Sequence, residues 1–135
     1  MKRTAAVIAV AIAMLVPAMA KTGGGFMTAG GIGMIQCAVF SNYVAEARAA
    51  GINTTNGIQR IDPFISYALG FYTGYNSVAD DMWDILAGIR GEQMHISIIT
   101  MMDGFCQANP TDEVDDALFD TIYKLLPTAQ IEPPL

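Results

Sequence analysis

Few side chains in this sequence have types and spacings that could do chemistry. Cys37 and Cys106 are its two thiols, His95 is its single histidine, and Asp80, Asp81 and Asp84 surround Met82 and Trp83. A structural zinc site takes four Cys or His ligands at close spacing, and here two cysteines and one histidine lie far apart. A thioredoxin-type site needs Cys-x-x-Cys. A cysteine nucleophile needs a partnering base, for which His95 is the one candidate, and no Asp or Ser stands at motif spacing from it. His95 therefore reads as structural or surface-exposed. The three aspartates could attract calcium, but the EF-hand spacing, with its central glycine and terminal glutamate, is absent. They read instead as a solvated helix or turn that buries Trp83. Six glycines between Gly23 and Gly33 resemble a phosphate loop only superficially. Neither Gly-Lys-Ser/Thr before a helix nor a Rossmann Gly-x-Gly-x-x-Gly after a strand is present. The expectation is a protein without catalytic residues, metal or cofactor.

The compartment decides how the cysteines are read. Lys2 and Arg3 precede the apolar stretch Ala5 to Val16, Pro17 breaks it, and Ala18-Met19-Ala20 offers small residues to a signal peptidase. These three regions predict a secretory signal at 1–20. The stretch is shorter than the roughly 20 apolar residues of a spanning helix, so no stable membrane insertion is expected after cleavage. The short basic start points to a bacterial exporter and a periplasmic protein. In that oxidising setting an even pair of thiols predicts a disulfide. Such a bridge would close a loop of about 70 residues and contribute about 4 kcal/mol by chain entropy.

Cleavage would leave 115 of the 135 residues, one domain by size. Five basic residues would remain against thirteen acids, a formal charge of −8. So acidic a chain lacks the clustered Lys and Arg that hold a phosphate backbone, which argues against nucleic acid as a partner.

Four elements would position these residues. Residues 21–33 read as a flexible glycine-rich leader. From Met34 to Ala50 the pattern is helical, with Ile35, Ala38, Val39, Tyr43 and Ala47 on one face, Cys37 in the first turn and Gly51 as the C-terminal cap. "INTTNGIQR" reads as a polar link. Asp62-Pro63 predicts the start of a second helix. Its Phe64, Tyr67, Phe71 and Tyr75 form an aromatic stripe, read first as core and otherwise as a groove for a partner, with Tyr72 and Trp83 as further candidate contacts. Gly70 and Gly74, costly inside a helix, suggest that a ring or backbone packs closely on them. A third helix is predicted over about Glu92 to Gln107, with Ile98, Met101, Met102 and Phe105 apolar and Cys106 near its end. The β-branched Ile96, Ile98 and Ile99 leave a strand open there. Asn109-Pro110 predicts the start of a fourth helix, with Asp112 and Glu113 in its first turn. Val114, Leu118, Ile122 and Leu125 would be its buried stripe, and Pro127 its stop. The expected architecture is an all-α, single-domain bundle of about four helices over residues 34–127 with one disulfide. Residues 128–135 would be an extended, flexible tail.

Taken together, the export signal, a cysteine in the first helix, and a second cysteine followed by "CQANP" and an amphipathic helix resemble the HdeA/HdeB acid-stress proteins. The resemblance runs over roughly Gly33 to Leu126. It implies a small periplasmic protein in which Cys37 and Cys106 match the family's cysteine pair and Asn109-Pro110 its following turn. It further implies a homodimer at neutral pH that opens in strong acid and holds denaturing protein clients. The segment "LGFYTGYN" departs from that family and is similar to the Gly-Tyr segment of Tai-type immunity proteins, in which the cysteines are placed differently. Two functions follow as expectations: an acid-activated holdase of the cell envelope, or a dedicated binding module for one protein partner.

Overall fold

The computed structural model describes residues 30–133. The export signal expected at 1–20, and the leader as far as residue 29, lie outside the described residues. Four helices follow: α1 Cys37–Ala49, α2 Thr55–Val78, α3 Met94–Ala108 and α4 Val114–Leu125. Short 3-10 turns stand at Gly31–Met34, Ala87–Ile89 and Leu126–Thr128. Among the described residues extended pairing is confined to two isolated antiparallel bridges, Gln36 with Glu113 and Asp84 with Gln130. Among the described residues the fold is all-α, with four helices and one disulfide, as the sequence predicts.

Helix α1 buries Cys37, Phe40, Val44 and Ala47, a three-four-three spacing that makes one inward stripe. Ala38, Val39 and Tyr43, expected on the buried face, are exposed. The bond from Cys37 to Cys106 sets the rotation of the helix by turning its first residue inward. The first amides of α1 take their acceptors from the α3–α4 loop: Cys37 N–H donates to the Asp112 carbonyl at 2.7 Å and Ala38 N–H to that of Pro110 at 3.0 Å. Those are amides that a helix cannot satisfy internally.

Helix α2 begins a full two turns before the predicted Asp62-Pro63 start. Thr54 is the N-cap, accepting from Gly57 N–H at 3.2 Å. The segment read as a polar link is helical from Thr55, because Ile61, Ile65, Ala68 and Tyr72 continue one buried stripe through the proline. Pro63 is exposed, so its missing N–H and ring fall on the solvent side. The sharp α1–α2 turn needs Gly51 at φ +85°. It also needs Gly57, where a Cβ would overlap the Gly51 carbonyl.

Helix α4 also departs from its predicted start. Asn109 closes α3, its side-chain amide donating to the Phe105 carbonyl at 2.9 Å. Glu113 is the N-cap of α4 in a capping box with Asp116, and the first-turn acids are Asp115 and Asp116. Val114, Leu118, Ile122 and Leu125 are buried as expected. Both expected flexible ends are part of the fold where described. Gly31–Met34 is a 3-10 turn with Gly33 buried, and the chain after α4 pairs with the α2–α3 loop through Gln130.

Candidate functional site

The residues with chemical potential are held by the fold in three places. Cys37 and Cys106 are joined, with Cα atoms 4.7 Å apart, and both are fully buried. Three residues before Cys106 on α3, Asp103 sits buried and accepts hydrogen bonds from Ser41 Oγ at 2.7 Å, an Arg48 guanidinium nitrogen at 2.6 Å and Gln107 Nε2 at 2.8 Å. Ser41 and Arg48 belong to α1, so disulfide and carboxylate together clamp the antiparallel α1–α3 pair. His95 is exposed on α3. Asp84 is buried, bonded by Arg90 Nε at 2.5 Å and by the Leu86 amide at 3.1 Å. Asp80 and Asp81 are exposed, and no group of three His, Cys, Asp or Glu among the described residues is placed to hold a metal ion.

The predicted aromatic contacts do not share one face. Tyr72 is fully buried, its hydroxyl bonded to Thr121 on α4, and burial pushes its pKa up to about 12. It cannot line an open groove. Phe71 packs edge-on against Phe119 with centroids 5.2 Å apart. Tyr67 and Tyr75 are half-buried against the core. Burial, with the nearby Asp115 carboxylate adding to it, raises the Tyr67 pKa. Asp115 is itself buried at the start of α4. Desolvation raises its pKa, and the neighbouring charges of Asp116 and Glu113 raise it further. Gly70 and Gly74 face open space, so no ring or backbone packs on them as their sequence positions suggested.

Trp83 is the clearest departure. Read in sequence as buried in its turn, though also as a candidate partner contact, it is 53% exposed. Its backbone, by contrast, is firmly held. Trp83 N–H and Asp84 N–H both donate to the Gln130 carbonyl at 2.9 Å, and Gln130 N–H returns a bond to the Asp84 carbonyl at 2.9 Å. Asn76 of α2 accepts from the Ile85 amide at 2.9 Å. Thr128 covers Gly88 so closely that a Cβ there would collide with it. The end of α2, the loop after it and the chain after α4 thus lock together. Val78 (80% exposed) and Ile131 (64%) flank the same assembly. Asp80, Asp81 and Glu132 on its rim are exposed. Asp81 takes φ +58°, a left-handed conformation that Asp tolerates better than most residues. Asn76, Thr128 and Gln130 carried no signal in sequence, because each acts through contacts to the loop after α2 that no periodicity encodes.

No helix of the described residues is long and apolar enough to cross a membrane. Compared with protein-family models, curated proteins and solved structures, the chain has no match.

Proposed function

We propose that this chain is an exported, non-enzymatic binding module that presents one fixed docking face to another protein. The observation that carries the reading is Trp83: a large apolar side chain kept more than half exposed on backbone held from both sides. Tryptophan is enriched among the few residues that carry most of the binding energy at protein–protein interfaces. The cysteines are engaged with each other, and Asp84 and Asp103 are engaged with arginines, so they serve the scaffold. The test is site-specific photo-crosslinking in cells that export the oxidised full chain. A crosslinker at Trp83 should capture one reproducible partner, and one at the exposed Thr100 on α3 should not. Equal capture from both positions, or none from Trp83, rejects the reading.

A second reading is an acid-activated holdase for envelope proteins, favoured by the buried disulfide, which would keep an opened chain joined between α1 and α3. Aggregation of an acid-denatured client at about pH 2–4, below or near the ordinary carboxylate range, measures this directly. Unchanged client aggregation with native circular dichroism rejects it.

A further inference from the structure

We infer that the partner seated on the Trp83 face is a cationic, partly apolar polypeptide segment, an inference that rests on the docking-face reading above. The two segments joined by the Asp84–Gln130 bridge carry three exposed apolar side chains, Val78, Trp83 and Ile131, and three exposed acids, Asp80, Asp81 and Glu132. What seats on it is decided by charge. Each of the four Lys and Arg side chains among the described residues is already paired with a carboxylate: Arg48 with Asp103, Arg60 with Glu46, Arg90 with Asp84 and Lys124 with Asp120. The three rim acids have no cation partner among these pairs, so their potential is left for an incoming molecule. A second copy of the chain would bring the same acidic rim and would be repelled. An anionic membrane surface or nucleic acid would be repelled for the same reason. A Lys- or Arg-bearing segment satisfies both parts of the face: its apolar side chains cover Val78 and Ile131, and its cations meet the rim acids and the face of the indole, the strongest cation–π acceptor among side chains. Acid rims of this kind also steer a basic partner into register and suppress acidic ones.

The only tryptophan in the chain is Trp83, so its fluorescence reports on this face without a label. The probes are three synthetic peptides of equal length, alternating Leu with Lys, with Ser or with Glu, titrated into the oxidised full chain. The Lys peptide should give a saturable blue shift, weakened about tenfold by raising salt from about 0.05 to about 0.5 M as screening shortens. The variant Asp80→Asn/Asp81→Asn/Glu132→Gln should bind it at least about tenfold more weakly, at roughly threefold per exposed charge pair. Asn at position 81 keeps the left-handed backbone accessible, and circular dichroism verifies the fold. The control Asp62→Asn/Glu92→Gln, which removes exposed acids elsewhere, should bind like wild type. Equal binding of the Ser peptide, an unaffected rim variant, or equal weakening by the control overturns the cationic partner while leaving a docking face at Trp83 in place. A blue shift that grows with the protein's own concentration, with dimer in sedimentation, overturns it in favour of a second copy. No shift with any peptide, together with no crosslink from position 83, removes the docking face itself.

Discussion

Removing the carboxylate of Asp103 should unclamp α1 from α3. The Asp103 side chain is 1% exposed and the Arg48 side chain 43%. Deleting one partner of a fully buried ion pair costs about 3–5 kcal/mol, mostly because the other charge is stranded. Arg48 would not be stranded, since its exposed part can rehydrate, so that range is an upper bound. Hydrogen bonds to a charged group contribute about 1.5–3 kcal/mol each, but Gln107 is exposed and Ser41 half-buried, so both recover bonds to water. The expected loss for Asp103→Ala is therefore about 2–3 kcal/mol, a large part of the roughly 5–15 kcal/mol that holds a domain together. At about 4–8 °C per kcal/mol for a domain near this size, Tm should fall by about 10–20 °C. Urea unfolding of the oxidised protein measures it as a lower midpoint with an unchanged slope. Arg48→Ala should cost about 2–3 kcal/mol as well, because it leaves the buried Asp103 charge with Ser41 and Gln107 alone, and a double-mutant cycle should return coupling of about 1 kcal/mol. A loss below about 0.5 kcal/mol with no coupling would refute the clamp, since additive behaviour marks side chains that do not interact.

Other perturbations separate the remaining contributions. Gly57→Ala should destabilise by about 1–3 kcal/mol despite alanine's better helix propensity, because the new Cβ meets the Gly51 carbonyl. Gly70→Ala and Gly74→Ala, with open space at both positions, should each stabilise by about 0.5–1 kcal/mol in the same urea assay. Cys37→Ser/Cys106→Ser should lose about 4 kcal/mol through the freed 69-residue separation, read as a shift in urea midpoint. Asp115→Asn should raise stability near pH 7. It should also abolish the gain that the native side chain contributes as pH falls, seen by comparing urea midpoints from about pH 7 down into the ordinary carboxylate range.

Much of the scaffold is legible in sequence because it rests on local pattern. The stripe Val114, Leu118, Ile122, Leu125 and the paired cysteines place α4 and the disulfide correctly. Helix starts are misread where a weaker signal governs. Asp62-Pro63 and Asn109-Pro110 look like caps, yet Thr54 and Glu113 are the caps. The stripe running through Pro63 decides the first case. In the second, the Pro110 and Asp112 carbonyls are committed to the α1 amides, which keeps that stretch out of the helix. The candidate site was barely legible. Trp83 supports two readings in the sequence, a side chain buried in its turn and a candidate partner contact, and nothing local chooses between them, since aromatic side chains usually seek burial. Its exposure follows from the pairing of Asp84 with Gln130, residues 46 apart, which no periodicity encodes.

The two functional readings divide on how the fold responds to acid, and Asp115, buried at the start of α4, bears on that response. Its folded pKa is raised by desolvation and by Asp116 and Glu113, so its favourable contribution is fully present below the unfolded value and is lost as pH rises through the folded one. Acidification through that range therefore strengthens the fold at the start of α4. A chain built to open in acid would gain nothing from a carboxylate that resists opening. A binding module that must keep one face intact gains stability there as pH falls. The Asp115→Asn comparison thus bears on function as well as stability. If the native protein loses stability steadily from neutral pH downward and the variant loses it in parallel, Asp115 contributes no such reserve and the acid-opening reading gains the ground. If the native midpoint first rises as pH falls and the variant's does not, the fixed-face reading keeps it.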